Sequence, residues 1–450
     1  MHAIGEQVLL PAPHPLTGPR SSFRRQAALL HQHSTAEPIS FRISLSYNLG
    51  QVPSDTFAGT LTMRNKRLDI LRCIAIFLVM FSHGGGDIWP ALAHRGWVGV
   101  DLFFVLSGFL ISGLLFNEFK SRGSISLKRF FVRRALKIYP AFYLFLFLTG
   151  IMTYFIFHHS APLAHYLPEI FFVQNYLPGV WDHTWSLAIE EHFYILLPIL
   201  LVWMANTAAG QSNPFRSLPW MFVGVAMLCI CFRAATVYIG TPNYHIACVG
   251  SHNRMDSLFF GVLLGYLHHF QPQVLDSFIR TPINRVLVVL CSAALLSLTC
   301  FLPRDSRFFS TFGFSCLYLG FGGVLLLSLY TPAILRGRIG RYSAAIGTVM
   351  AAVGTYSYSI YLWHGPTAAW FPGFVRRVLH VSLGSFARFT VFVIGSLIIG
   401  VAMSKLVEYP ILRIRDRIFP APEGAVLPPL GVQHVEALRS PQTVVSVSPM

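Results

Sequence analysis

Arg72 and His83 lie eleven positions apart in the largely apolar run from Arg67 to His83. At about 100° per residue, eleven steps return a helix to within roughly 20° of its starting direction. The two side chains therefore share a face, about 16 Å apart along the axis. That is roughly half of a ~30 Å hydrocarbon core, where charged and titratable groups are costly and tend to be functional. Neutral imidazole is a natural base for a hydroxyl near neutral pH. Asp69, one turn before Arg72, is placed to pair with it. Gly84, Gly85 and Gly86 follow His83 and let another group pack against it or pass by. The plainer alternative is an interfacial ion pair with a histidine closing the helix.

Four further constellations could carry chemistry. In the run Gly96–Gly113, Ser107, Gly108, Ser112 and Gly113 suit close helix contact in lipid. Asp101 at one end of that run needs a partner, and His83 is a candidate. The segment Lys128–Pro140 concentrates Arg133, Arg134 and Lys137 at the start of a helix. Membrane topology alone explains positive charge there, but this spacing also suits a clamp for a multiply phosphorylated ligand, coenzyme A or a lipid headgroup. In His183–Pro198, Ser186 and Glu190 share a helical face, with Glu191 and His192 beside them. A carboxylate there can orient an imidazole or take a proton from an acceptor. Weaker signals are Arg254 and Asp256 at the start of one apolar segment, and the phenols, hydroxyls and His364 of Tyr356–Pro366. Interfacial aromatic residues are ordinary in membrane proteins.

The elements that must position these groups are apolar helices. The 450 residues are 54% hydrophobic and only 12% charged, with a mean hydropathy of +0.56. That balance excludes an ordinary soluble enzyme and predicts an all-α, polytopic transmembrane bundle. About ten spans are expected, near 68–84, 97–116, 135–157, 185–205, 219–239, 255–270, 285–302, 311–330, 347–370 and 386–407. The net charge of +16 would suit nucleic acid, but its distribution argues otherwise. With ten alternating spans and a cytoplasmic N-terminus, inner segments hold roughly nineteen Lys and Arg against roughly five outside. Both termini are then expected in the cytoplasm. The seven cysteines lack metal-ligand or redox spacing and read as small packing residues. Residues 1–62 are polar and without a secretory signal, and are expected to be disordered, with Met63 a candidate natural start. Residues 63–419 form the membrane domain, and 420–450 are expected to be a disordered tail.

Taken together, these segments resemble the acyltransferase-3 family of integral membrane acyltransferases over roughly residues 66–412. Arg72 and His83 match its first-helix pattern, and Phe103–Phe109 resembles its second-helix signature. Arg133-Arg134 with Ile138-Tyr139-Pro140 resembles its basic segment. Trp185-Ser186-Leu187 with Glu190, Phe193 and Tyr194 resembles its central motif, and Tyr358–His364 and Glu408-Tyr409-Pro410 its closing ones. Lys137 stands where the family usually has a second Arg; lysine keeps the charge there but lacks the planar fork of a bidentate phosphate contact.

The resemblance implies a multi-pass protein of the inner (plasma) membrane that moves an acyl group, acetyl in the simplest case. The donor would be cytoplasmic acyl-CoA, bound as co-substrate at Arg133, Arg134, Lys137 and Arg72. His83 would be general base or brief acyl carrier, with Glu190, Arg72 and Asp69 completing the catalytic set. Asp101, Trp185, Ser186, Tyr358 and His364 would bind the acceptor, a hydroxyl of a carbohydrate or other envelope molecule. No metal is expected, because a thioester is already activated. Some relatives carry a fused extracytoplasmic domain that completes transfer, so a separate partner could do so here. The competing classes are a transporter or flippase for a lipid-linked sugar and a membrane receptor or scaffold.

Overall fold

The computed structural model describes residues 65–155, 162–239, 242–331, 337–380 and 382–420. The expectations for residues 1–62 and for the tail after 420 fall outside the described residues. Within them the chain is helical and contains no strand. Eleven helices have seventeen residues or more: α1 Lys66–Gly84, α2 Gly99–Arg122, α3 Leu127–Phe155, α4 Trp185–Thr207, α5 Leu218–Tyr238, α6 Ser251–Phe270, α7 Pro282–Phe301, α8 Phe314–Tyr330, α9 Gly337–Thr355, α10 Ser357–Leu379 and α11 Ser385–Met403.

Seven helical segments are long and apolar enough to cross a membrane, judged by length and composition. They make the chain a multi-pass membrane protein. Phe147, Trp203, Trp220, Leu290 and Ile398 are exposed, as suits faces turned to lipid. The helices that fall short are α1, α6, α9 and α10. Two of them carry the polar groups that lower their hydropathy: Asp69 and Arg72 on α1, Arg254 and Asp256 on α6.

The expected span over 347–370 is in fact two helices. The chain breaks at Tyr356 (φ −95°, ψ 6°): α9 before it packs on α1, while α10 after it packs on α11. A hydropathy window averages across such a break, because both sides of it are apolar.

Asn65 starts α1 by accepting a hydrogen bond from the Arg67 amide at 3.0 Å. α2 and α6 form the tightest pair, because small residues face one another across it. A Cβ on Gly108 would lie 1.9 Å from the Leu258 carbonyl oxygen, and one on Gly261 2.3 Å from that of Val105. The expectation that Gly108 serves packing is met.

A chain of buried ion pairs crosses α2, α6 and α5. Asp101 pairs with Arg254, and Asp256 with Arg233 at 2.9 Å. Arg233 also donates to the carbonyls of Asn253 and Thr311 and to Ser315 Oγ. Such charges persist in an apolar interior only when paired and hydrogen-bonded.

Candidate active site

Two cavities open towards opposite ends of α1. The first, of about 440 Å³, lies at its Arg72 end, between α1, α2, α3, α4 and α10. Arg72, Arg134, Lys137, Ser186 and Glu190 line it. Arg72 pairs with Asp69 at 2.8 Å, the pair expected from their spacing. Ser186 and Glu190 share this cavity, as one helical face requires. Glu190 Oε2 accepts from Ser107 Oγ at 3.1 Å and from the Tyr194 hydroxyl. The Arg134 guanidinium stacks over the Tyr194 ring, 4.0 Å from its centre. Tyr358 lines the same cavity and donates to the Ile138 carbonyl at 3.1 Å. An apolar helical bundle thus holds a polar chamber with three cations and three acids, Asp69, Glu190 and Glu408, around its wall.

The second cavity, of about 1270 Å³, lies at the His83 end. Asp101, Trp185, His183, Arg254 and Trp97 are among its walls. His83 is exposed here. Its Nδ1 lies 2.9 Å from the Val79 carbonyl of its own helix. A carbonyl only accepts, so Nδ1 carries the proton and Nε2 keeps its lone pair. That is the tautomer a general base requires.

His83 is one of three imidazoles in contact. His364 meets it edge to face, with ring centres 4.7 Å apart, and His183 meets His364 at the same distance. His183 Nε2 lies 3.1 Å from the Leu362 carbonyl, and His364 Nδ1 faces the Tyr361 carbonyl. Each ring therefore spends one N–H on backbone and keeps one nitrogen as an acceptor. His364 Nε2 is buried without a protein partner. Gly365 makes this packing possible, since a Cβ there would lie 2.5 Å from His183 Cε1. Among the described residues no group of three His, Cys, Asp or Glu is placed to hold a metal ion.

His183 is held by the loop before α4. The buried Glu169 carboxylate accepts from the amides of Val180 (3.1 Å) and Trp181 (3.0 Å) and from Thr184 Oγ1. Burial nevertheless pushes its carboxyl up to about 7.

Tyr361 and Val100 line both cavities and form the wall between them. The Tyr361 hydroxyl donates to the His183 carbonyl at 2.7 Å and lies 2.6 Å from Ser186 Oγ. One phenol thus ties the chamber of Arg72 and Glu190 to the loop that carries His183.

Several expectations need correction. Asp101 is paired with Arg254, not His83. Glu190 is bonded to Ser107 and Tyr194, and lines the chamber opposite to the one His83 opens on. Its contact with His83 does not form. Arg133 is absent from the clamp: it pairs with Asp416 at 3.1 Å and donates to the Phe419 carbonyl. Its partners Asp416 and Phe419 lie outside the cavity that Arg134 and Lys137 line, and they hold the guanidinium there. Trp185 and Ser186, neighbours about 100° apart on one helix, enter different cavities. His192 bonds Ser251 Oγ at 2.7 Å, away from both. Sequence reasoning did not single out His183, Arg233 or Tyr361. A lone arginine inside the apolar run Leu218–Tyr238 was a readable signal for Arg233. For His183 and Tyr361 only the folded arrangement shows what they touch.

The sequence profile of the family described as "Acyltransferase domain" matches residues 65–405. The peptidoglycan O-acetyltransferase OatA of Listeria monocytogenes is 26% identical over 384 residues, covering 76% of this chain and 55% of that protein. The O-acetyltransferase OatA of Staphylococcus aureus (strain NCTC 8325) is 27% identical over 321 residues, covering 66% of this chain and 50% of that protein. The chain thus spans about half the length of these curated relatives. No solved structure matches it.

Proposed function

From the premise that the chain belongs to this acyltransferase family, we propose that it moves an acyl group, acetyl in the simplest case, between its two chambers. The donor is a thioester of coenzyme A. The acceptor is a hydroxyl of a carbohydrate or other envelope molecule, the class named for its peptidoglycan-modifying relative. The observation that carries this reading is the pair of chambers meeting at Tyr361, one lined by Arg72, Arg134 and Lys137 and one presenting the His83 imidazole. The Arg72 end then faces the cytoplasm of an inner-membrane protein and both termini lie on that side, in accord with the distribution of Lys and Arg.

Arg134 and Lys137 attract the donor's phosphates, and Arg72 lies deeper along the path of its pantetheine arm. The acceptor hydroxyl meets His83, whose Nε2 takes its proton as the oxygen attacks the thioester carbon. An ester C–O bond forms and the C–S bond breaks. The thiolate leaves on the cytoplasmic side, and His83 gives up its proton to solvent in the larger cavity. The two reacting groups approach from opposite sides of the Tyr361 wall, so this side chain must yield during each transfer. His364, itself packed against His183, holds the His83 ring in place.

The test uses the full chain in liposomes with labelled acetyl-CoA and envelope carbohydrate. Ester formation that disappears in His83→Ala protein of normal fold and amount supports the reading. Full acetylation by that variant overturns it. A flippase instead predicts that envelope material changes in amount, with no change in its acetyl methyl signals by proton NMR.

A further inference from the structure

His83 lines a second opening besides the large cavity. This smaller space, of about 620 Å³, lies between the end of α1 and the facing parts of α10 and α11. Its size is within the range that holds one compact ligand. Ser82, His83, Asp87, Arg376 and Arg388 supply its main polar groups. Gly86 and Gly373 on its wall have nothing within 4 Å of where a Cβ would stand, which leaves the floor open.

Two features set its charge apart. The large cavity is balanced, with Asp101, Asp182 and Asp305 against Arg95, Arg254 and Arg304. The small one has two guanidiniums and one carboxylate. Ordinary causes also fail to account for both arginines. In the proposed orientation they sit outside, where the positive-inside rule depletes such residues. Arg376 in the last turn of α10 favours its helix, but Arg388 lies in the first turn of α11, the end that disfavours a cation. Arg388 uses one corner, Nη2, on Asp87 (3.0 Å) and Ser385 (3.4 Å). That ion pair is more than half exposed on both sides, so a competing anion can exchange into it. Arg376 has no hydrogen bond or ion pair among the described residues.

We propose that this space is a specificity pocket for a negatively charged group, carboxylate or phosphate, carried by the acceptor next to the hydroxyl that reacts at His83. Arg376 and Arg388 hold the anion in charge-assisted hydrogen bonds. The acceptor is thereby an acidic carbohydrate. This rests on the acyl-transfer reading and adds the charge of the substrate to it.

The experiment compares three acceptors with the full chain in liposomes and acetyl-CoA: a hexuronic-acid oligosaccharide, its carboxyl-reduced neutral form, and a hexose phosphate. The expected result is kcat/KM about tenfold or more higher for an acidic acceptor than for the neutral one, from charge-assisted contacts. That ratio should fall towards one in Arg376→Gln and Arg388→Gln, mainly through KM, and should shrink with added salt. Whichever acid is preferred tells carboxylate from phosphate. Equal use of acidic and neutral acceptors by the unmodified protein, or an undiminished ratio in both variants, overturns the inference alone. Transfer to none of the three, with none to envelope carbohydrate either, overturns the acyl-transfer reading beneath it.

Discussion

If Tyr361 is the wall between donor and acceptor, its removal should uncouple the reaction rather than merely slow it. Two replacements separate the hydroxyl from the ring. Tyr361→Phe deletes the hydrogen bond to the His183 carbonyl and leaves the buried Ser186 hydroxyl without its 2.6 Å partner. That should cost about 1–3 kcal/mol of stability. The ring stays packed edge-on to Phe103, with centres 6.0 Å apart, so the chambers stay separate. Tyr361→Ala removes the ring as well, at about 3–5 kcal/mol, and joins spaces of about 440 and 1270 Å³. Water from the larger space then reaches the thioester. The assay follows thiol release from acetyl-CoA by protein in liposomes, with and without acceptor. Tyr361→Ala should raise the acceptor-independent share of thiol release by about tenfold, because excluding water is what protects a reactive ester. Tyr361→Phe should leave that share low. A share equally low in both variants, in folded protein, would refute the idea that this side chain keeps the two chambers apart.

Further outcomes follow from the same geometry. His83→Ala should lose about two to four orders of magnitude in transfer rate. Its melting temperature should stay within a few degrees, since this imidazole is exposed and its hydrogen bonds are to its own helix and Ser82. Arg254→Met strands the fully buried Asp101 and should cost about 3–5 kcal/mol in thermal or denaturant unfolding; the double change with Asp101→Leu should recover part of it, and no recovery would mean the pair is not the source. Gly108→Ala drives a Cβ onto the Leu258 carbonyl and should destabilise by roughly 1–3 kcal/mol or more. Gly86→Ala, with open space around it, should be close to neutral in the same melt. Glu169, raised to about 7 by burial, binds its proton more tightly folded than unfolded. Its contribution to stability is therefore full at acidic pH and lost as pH rises through about 7. Glu169→Gln should flatten that part of the stability profile, and a profile unchanged by the substitution would remove Glu169 as its cause.

Much of the fold was legible because each span carries its own signal. Long apolar runs in lipid must be helical to satisfy their backbone groups, and small residues such as Gly108 mark close contacts. The break at Tyr356 was hidden because apolar residues continue across it and hydropathy does not record direction. The start of the third span, expected near 135, was set too late, because basic residues lower the hydropathy of a helix that begins at Leu127. Arg133 was misplaced because its partners, Asp416 and Phe419, come from a distant part of the chain.

The sequence by itself determined which residues could not be idle: Arg72, His83, Asp101 and Glu190 are too polar for lipid, and eleven positions of helix put Arg72 and His83 on one face. Only the tertiary structure decided who meets whom. Asp101 found Arg254 on a helix 153 positions further along the chain, and Glu190 turned to Ser107 and Tyr194. His364, far along the chain, closed on His83, and His183 on His364. Helical periodicity fixes the direction of a side chain relative to its own axis, whereas its partner depends on how separate axes pack, and that is set by contacts spread over the whole bundle.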